Sequence, residues 1–332
     1  MKKYSVRERV NGSMLDNLLF YRNIKTPQEK EDFLNPNYEK HIHDPFLLKD
    51  AKKAAERIIK AIEENESIVI YSDYDADGIP AGVLFHDFFK KINFKNFINY
   101  IPHRHDEGFG LNVDAVNQFI KDKVNLLITL DCGISDIEAV KVAKDNGIDV
   151  IITDHHEPHE ELPQAFAIVD HKQKDCDYPE KILCGSGVGF KLIQAILKIK
   201  RFDVKEGYEK WFLDMVGMAT LSDMVPLLGE NRIISYFGMK VLQRSPRVGL
   251  LKLLSLLKIN QTTLTEDDIG FMVTPRINAA SRMGIPLDAF KLLSTTDEVE
   301  AGMLAEHLNN KNDERKGVVG SMIKEVKKRI EG

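Results

Sequence analysis

Between residues 67 and 170 the chain repeats one pattern, a short and largely apolar run followed by a stretch whose apolar residues recur at helical spacing. The runs are SIVIYSD at 67–73, FINYIP at 97–102, VNLLITLD at 124–131, IDVIITD at 148–154 and AFAIVD at 165–170. Helical spacing is carried by AGVLFHDFFKKI, NVDAVNQFIKD and SDIEAVKVAKDNG, which separate the first four runs. Strands that are apolar on both faces and joined by helices belong to a parallel sheet covered on both sides. The expected fold class is therefore α/β, a parallel sheet with helices on both faces. The rhythm stops near Asp170.

The flanks read differently. Residues 1–50 are polar and mixed and form an expected N-terminal arm, with a short helix capped by Thr26 and opened by Pro27. An amphipathic helix is expected over 47–65, and the α/β catalytic domain over 51–245. GSGVGFKLIQAILKI at 185–199 reads as a glycine-opened helix, and 208–244 as two helices broken at Asp223 to Pro226. Residues 246–308 read as a mostly helical part of the core, interrupted by TPRINAASRMGIP at 274–286. A long charged connecting helix is expected at 309–332, with apolar residues at 318, 319, 322, 323 and 326 that ask for a further element to pack on.

Composition narrows the class. At 332 residues and 43% hydrophobic the chain is long enough for one large or two moderate cores. No apolar run reaches membrane-spanning length, and no apolar stretch follows the basic first residues as in a signal peptide. The three cysteines, Cys132, Cys176 and Cys184, form no CxxC and suit a reducing, cytoplasmic setting. A net charge of −5 argues against coating nucleic acid by bulk positive charge, but not against nucleic acid as a substrate.

The acids carry the chemistry. In open parallel sheets, ligands sit beyond the carboxyl ends of the strands. Here four of the runs end in aspartate: Asp73 followed by Asp75 and Asp77, then Asp131, Asp154 and Asp170. Helix capping accounts for one or two such residues. It accounts poorly for a whole rim of carboxylates, which repel and are costly to desolvate. His155 and His156 directly follow Asp154. Carboxylates with imidazole and no thiolate suit Mn²⁺, Mg²⁺ or Fe²⁺. The number of acids is enough for two ions about 3.5–4 Å apart, the arrangement of metal-assisted phosphoester hydrolysis. No HExxH, GxGxxG or GxxxxGK[ST] competes with this reading.

SDYDADG at 72–78, PHRHDEGFGLN at 102–112, TLDCGIS at 129–135 and TDHHE at 153–157 resemble the DHH phosphoesterase superfamily, and within it the RecJ-type single-strand-specific 5′-to-3′ exonucleases. GSGVGFKL, LSDMVPL and TPRINAASRMG extend the resemblance, which covers roughly residues 65–310. It implies hydrolysis of single-stranded DNA from the 5′ end to mononucleotides, with Mn²⁺ or Mg²⁺ as two-ion cofactor. It implies metal ligation by Asp75, Asp77, Asp131, His155 and Asp223, with Asp131 bridging. Asp154 and His156 belong to the DHH triplet, and His156 either ligates or acts on the scissile phosphate. Asp73 either ligates or orients its neighbours. Arg104, Arg276, Asn278, Ser281 and Arg282 are the expected phosphate and substrate contacts, with His103 and His105 added by adjacency.

KIKRF at 198–202 and QRSPR at 243–247 are candidate contacts to a longer strand, or plain surface. RNA stays open as a substrate. A helicase or single-strand-binding protein is the partner class carried by the resemblance, and a second domain beyond the connecting helix is expected. Two rivals stand beside this reading. One is a relative acting on dinucleotides, oligoribonucleotides or other small substrates; the other is a non-catalytic replication scaffold, which would be expected to have lost ligands.

Overall fold

A computed structural model describes residues 5, 8–10 and 12–331; the remaining first residues of the expected arm and Gly332 lie outside the described residues. Three short helices open the chain: α1 (Met14–Phe20), α2 (Pro27–Leu34) and α3 (Tyr38–His41). Ser13 with Asp16, and Thr26 with Glu29, form reciprocal capping boxes that satisfy the first amides of α1 and α2. Helix α4 (Ala51–Glu63) then leads into the repeating unit.

The five expected strands form, as β1 (Ile68–Ser72), β2 (Phe97–Tyr100), β3 (Leu126–Leu130), β4 (Asp149–Thr153) and β5 (Ala167–Val169). They pair in the order β2-β1-β3-β4-β5, all parallel. The intervening helices are α5 (Gly78–Lys91), α6 (Val113–Lys121) and α7 (Ile137–Asp145). Helix α8 (Gly185–Ile199) follows the sheet. Alternate strand residues serve opposite layers. Ile68, Ile70, Ile128 and Ile151 pack with α4, α5 and α8, while Val69, Tyr71, Leu127 and Ile152 pack with α6 and α7. Both faces of β1, β3, β4 and β5 are therefore dry, which is why these strands read as continuous apolar runs, while the edge strand β2 leaves Ile98 exposed.

A second, helical layer closes over the other side of α5. It consists of α9 (Leu213–Ser222), α10 (Gly229–Leu242), α11 (Val248–Leu256), α12 (Thr274–Arg282), α13 (Pro286–Ser294) and α14 (Glu298–Glu331). Ile79 and Val83 of α5 share one core with Met215, Met218, Leu253, Ile277 and Leu293. Two expectations are corrected here. TPRINAASRMGIP is not a break: residues 274–282 are helix α12, entered from a π-helical turn at Asp268–Val273. Pro275 sits in the first turn of α12, directly after that π-helical turn. The last helix begins at Glu298, not 309, because the Asp297 carboxylate accepts the Val299 and Glu300 amides and caps it there.

Ala301, Ala305 and Leu308 of α14 are buried, whereas Val319, Met322, Ile323 and Val326 are exposed. Among the described residues, no helix is long and apolar enough to cross a membrane.

One buried ion pair ties the arm to the two layers. Lys191 Nζ on α8 lies 2.9 Å from the Glu230 carboxylate on α10, both side chains wholly buried. Lys191 also donates to the His43 carbonyl at 2.6 Å, and the Tyr178 hydroxyl donates to Glu230. Removing one partner leaves an uncompensated buried charge. Lys191→Met is expected to lower the unfolding free energy by about 3–5 kcal/mol, read by urea denaturation. An unchanged midpoint would show that the pair contributes nothing.

Candidate metal centre

The chain runs from β1 outward to β2, then crosses back to β3 on the other side of β1. That reversal opens a crevice at the carboxyl ends of β1 and β3, the position where open α/β sheets take ligands. The ladder itself places the acids. The Asp73 amide donates to the Leu130 carbonyl at 3.1 Å, the Asp131 amide to Thr153 at 2.9 Å, and the Asp154 amide to Val169 at 3.2 Å. Each aspartate is thus the first residue beyond its strand, held in register by the next strand. Asp131 takes a left-handed backbone, φ +61°, uncommon outside glycine.

The loop after β1 is fastened from three sides. Asp75 Oδ1 accepts the amides of Asp77 at 2.8 Å and Gly78 at 3.0 Å, opening α5. The Asp77 carboxylate accepts the amides of Gly185 at 2.6 Å and Ser186 at 2.7 Å, so the positive end of α8 points at it. The Ala76 amide donates to Asn278 Oδ1 of α12 at 2.9 Å. Gly185 has no room for a side chain, because a Cβ there would stand 2.4 Å from Asp131 Oδ1.

The histidines divide their work. His155 Nδ1 lies 3.1 Å from the Leu183 carbonyl, which can only accept, so the proton sits on Nδ1 and the Nε2 lone pair faces the acid cluster, open to a cation. Nε2 stands 3.1 Å from Asp131 Oδ1 and 3.8 Å from Asp77 Oδ2. Asp223, at the end of α9, brings Oδ2 to 3.9 Å from Nδ1 of the same ring. His156 is held differently, with Nδ1 2.7 Å from Asp154 Oδ1. Asp154 also accepts the amides of Ile134, His155 and His156. Burial works against a charge on Asp154, yet the His156 ring and these amides hold its carboxyl below the ordinary range. The Asp154 hydrogen bond in turn raises the His156 imidazole above an ordinary histidine.

Asp73, Asp223 and Asp131 are pushed the opposite way. Burial, then the neighbouring Asp75, lifts Asp73 to about 8. Burial, then Asp77 and Asp75, lifts Asp223 to about 7. Asp131 lies well above the carboxylate range, through burial and the charges of Asp77, Asp75 and Asp73. Three donor sets result: Asp73–Asp75–Asp131, Asp77–His155–Asp223 and Asp131–His155–His156, each with ligand atoms within 4.8 Å of one another. Asp131 and His155 are shared between sets. The buried Asp73 Oδ1 and Asp131 Oδ1 have no hydrogen-bond partner, the nearby His155 ring being out of line for one. Crowded oxygens with imidazole, unpartnered and costly to ionise, fit divalent cations.

The expected substrate contacts are only partly gathered here. Arg104 lies with its guanidinium 5.2 Å above the Tyr74 ring, beside the acid loop. Arg276 does not face the rim: it is buried and donates to the Met272 carbonyl and to Asn309 of α14. Asn278 braces the acid loop, and the buried Ser281 hydroxyl donates to the Asn278 carbonyl. Arg282 is exposed, and its carbonyl lies 3.1 Å from His105 Nε2. His103 Nε2 lies 3.1 Å from the Gly284 carbonyl, so the two histidines clasp the turn after α12.

Asp170 is buried on the same rim, with one oxygen unpartnered, but stands outside the three donor sets. KIKRF is largely ion-paired surface, Lys198 to Asp44, Lys200 to Glu63 and Arg201 to Glu209. Within QRSPR, Arg247 is committed to Asp87 and Asp214. Phe109 is the residue that sequence reasoning missed. It is 57% exposed, its ring set edge-on to Tyr74 and His156 between two left-handed glycines, Gly108 and Gly110. Those glycines were the available signal for a loop built to present one ring.

Residues 67–220 match the DHH family, N-terminal domain. The single-stranded-DNA-specific exonuclease RecJ of Bacillus subtilis (strain 168) is 39% identical over 319 residues, covering 96% of this chain and 39% of that protein. The chain spans 39 to 54% of the length of the curated RecJ relatives it matches. A crystal structure of exonuclease RecJ bound to manganese superposes with a TM-score of 0.76 at 30% identity, over 84% of this chain and 69% of that one. RecJ in complex with Mn²⁺ from Thermus thermophilus gives 0.77 at 27% identity, over 92% of this chain and 43% of that one.

Two outcomes follow from the geometry. Gly185→Ala is expected to displace the Asp131 carboxylate and weaken divalent-cation binding about 10-fold or more, measured calorimetrically, with the fold retained. Unchanged affinity would mean that the cradle is not needed. The second concerns pH. Raised carboxylates keep protons that the unfolded chain releases, so without cations their contribution is full at low pH and is lost as pH rises toward the folded values of about 7 and 8. The raised His156 acts in the same direction, while the lowered Asp154 matters only in acid. The ion-free melting temperature is expected to fall between about pH 5 and 8, and the gain from added cation to grow. A flat ion-free profile would contradict this assignment.

Proposed function

The chain belongs to the RecJ branch of the DHH family, and from that membership we propose that it is a metal-dependent phosphodiesterase acting on single-stranded DNA. In this reading it works from the 5′ end and releases 5′-mononucleotides. The observation that carries the reading is the overlap of three donor sets on Asp131 and His155 at the switch point of the sheet. Asp75, Asp77, Asp131, His155 and Asp223 would hold two Mn²⁺ or Mg²⁺ ions, with Asp131 shared and Asp73 steadying the loop. Bound there, such ions supply charge that offsets the phosphodiester oxygens and lowers the pKa of water.

The remaining steps fall to the chain's own groups. His156, whose imidazole the Asp154 hydrogen bond raises, can in its protonated form offer its outer Nε2–H to a phosphoryl oxygen or to the leaving oxygen. Arg104, braced on Tyr74, can fork onto the phosphate. Phe109 offers a ring on which the terminal base can stack. His103 and His105 tie the 282–284 turn to the loop that carries Arg104, and in this reading the two would flank a single strand. Arg282 remains a candidate for the following phosphate.

The same reading divides the chain into the arm, the α/β catalytic domain, the helical part and the connecting helix. A further domain would cover the exposed stripe of α14. It also places the reaction in the cytoplasm, beside a helicase or single-strand-binding protein that presents free ends.

The test is a time course on 5′-phosphorylated single-stranded DNA labelled at its 3′ end, with Mn²⁺, comparing the protein with Asp131→Ala. A ladder shortening from the 5′ end, slowed by at least about 100-fold in the variant, is the expected outcome. No shortening despite intact cation binding would overturn the reading. Turnover confined to dinucleotides would replace it with the small-substrate alternative.

A further inference from the structure

We propose that Glu107 is a positioning residue for Arg104, holding the loop between β2 and α6 in the one shape that brings Arg104 and Phe109 together beside the metal rim. The proposal rests on the reading of Arg104 as a phosphate contact. It assigns the geometry of that contact to a carboxylate that stands outside all three donor sets.

A glutamate three residues from an anion-binding arginine would repel an incoming phosphate if its charge were free. Here it is engaged on both oxygens. Oε2 accepts the His103 amide at 2.6 Å. Oε1 accepts the Tyr100 hydroxyl at 2.5 Å and the Asn112 side-chain amide at 3.3 Å. The Glu107 amide in turn donates to the His103 carbonyl at 2.8 Å. Residues 103–107 therefore close into a turn tied twice at its ends, with Arg104 inside it.

The donors come from both sides of the loop. Tyr100 ends β2, and Asn112 caps α6. Burial, then the Glu107 carboxylate, pushes the Tyr100 hydroxyl up, so it keeps the proton it donates. Tyr100 stacks on Tyr71 of β1 with ring centroids 5.3 Å apart, and the Tyr71 hydroxyl donates to the Gly110 carbonyl at 2.7 Å. The Leu111 amide donates to Asp136 at 2.6 Å, and a Cβ on Gly110 would stand 2.6 Å from that carboxylate. The far end of the loop is thus pinned by β1 and the start of α7, and the near end by Glu107.

The loop has no helix or strand of its own to set its path. Yet Arg104 lies 5.2 Å above the Tyr74 ring, while Phe109 meets the same ring edge-on at 6.4 Å. Two side chains five residues apart converge on one ring only if the backbone between them keeps its course, and Glu107 lies in that interval. The ties of His103 and His105 to the 282–284 turn fix where the loop stands. Glu107 fixes its internal shape, and without its carboxylate three donors lose their shared acceptor.

The test is a double-mutant cycle read by binding, so that it needs no turnover. A 5′-phosphorylated oligothymidylate with a fluorescent 3′ label is titrated by anisotropy, with Ca²⁺ in place of Mn²⁺. The chain is compared with Glu107→Gln, Arg104→Ala and the double variant. Glu107→Gln is expected to weaken binding about 10-fold, and Arg104→Ala at least as much. The double variant is expected to bind no worse than Arg104→Ala, because both changes remove one interaction. Cation affinity is expected to stay unchanged in Glu107→Gln, while hydrogen exchange speeds up across residues 103–111. A glutamate that only stabilised the fold would act independently of Arg104, and the two losses would multiply. Multiplied losses overturn the proposal, as do full affinity in either single variant and unchanged exchange in the loop. A cycle that closes as expected in a chain that fails to shorten DNA with Mn²⁺ would sink the hydrolytic reading and leave the positioning role standing.

Discussion

Mutual repulsion among buried carboxylates is the constraint around which this molecule is arranged. Asp73, Asp75, Asp131 and Asp223 converge on Asp77, and burial already raises the cost of charge on those four. Nothing in a sheet favours such a gathering. It persists because backbone amides are brought to it: those of Asp77 and Gly78 to Asp75, those of Gly185 and Ser186 to Asp77, and those of Ile134, His155 and His156 to Asp154. Asp73 and Asp131 keep an oxygen with no such partner. Both belong to a donor set, whereas the most fully bonded acid, Asp154, belongs to none.

The scaffold is stiff where this gathering requires it. Helix α8 is apolar almost all round and buried along most of its length, so its amino end cannot drift from Asp77. The Lys191–Glu230 pair fixes its middle to α10 and to the arm, and Arg247 joins α5, α9 and α11 through Asp87 and Asp214. Both are charges committed inside the body, where a wrong packing would leave one unpaired. The ends of α5, α8 and α9 that carry or cradle ligands are thereby held by interactions some turns away.

Much of this is legible in the sequence, for a physical reason. Strands buried on both faces cannot alternate polar and apolar residues, so SIVIYSD and VNLLITLD announce themselves, and with them the strand-end aspartates. Spacing cannot tie Asp223 to the rim; the family resemblance suggests it, and the structure brings it beside His155. What stays illegible depends on rotation about helices. Arg276 and Asn278 are near neighbours in sequence, yet one faces α14 and the other the acid loop. Pro275 reads as a break because a proline's effect depends on which turn it occupies. Phe109 escapes notice because a lone ring in a glycine-flanked loop gives no periodicity.

The hydrogen bond from Ala76 to Asn278 joins the two layers at a telling point, between two of the acids. The acceptor belongs to α12, in the helical layer, while the donor belongs to the loop that ends β1. Any displacement of α12 removes that acceptor and loosens the loop carrying Asp75 and Asp77. Occupancy of the rim and the position of the helical layer are therefore thermodynamically linked, and the linkage is reciprocal. The acceptor from α12 and a cation held by those acids would steady the same loop from two sides.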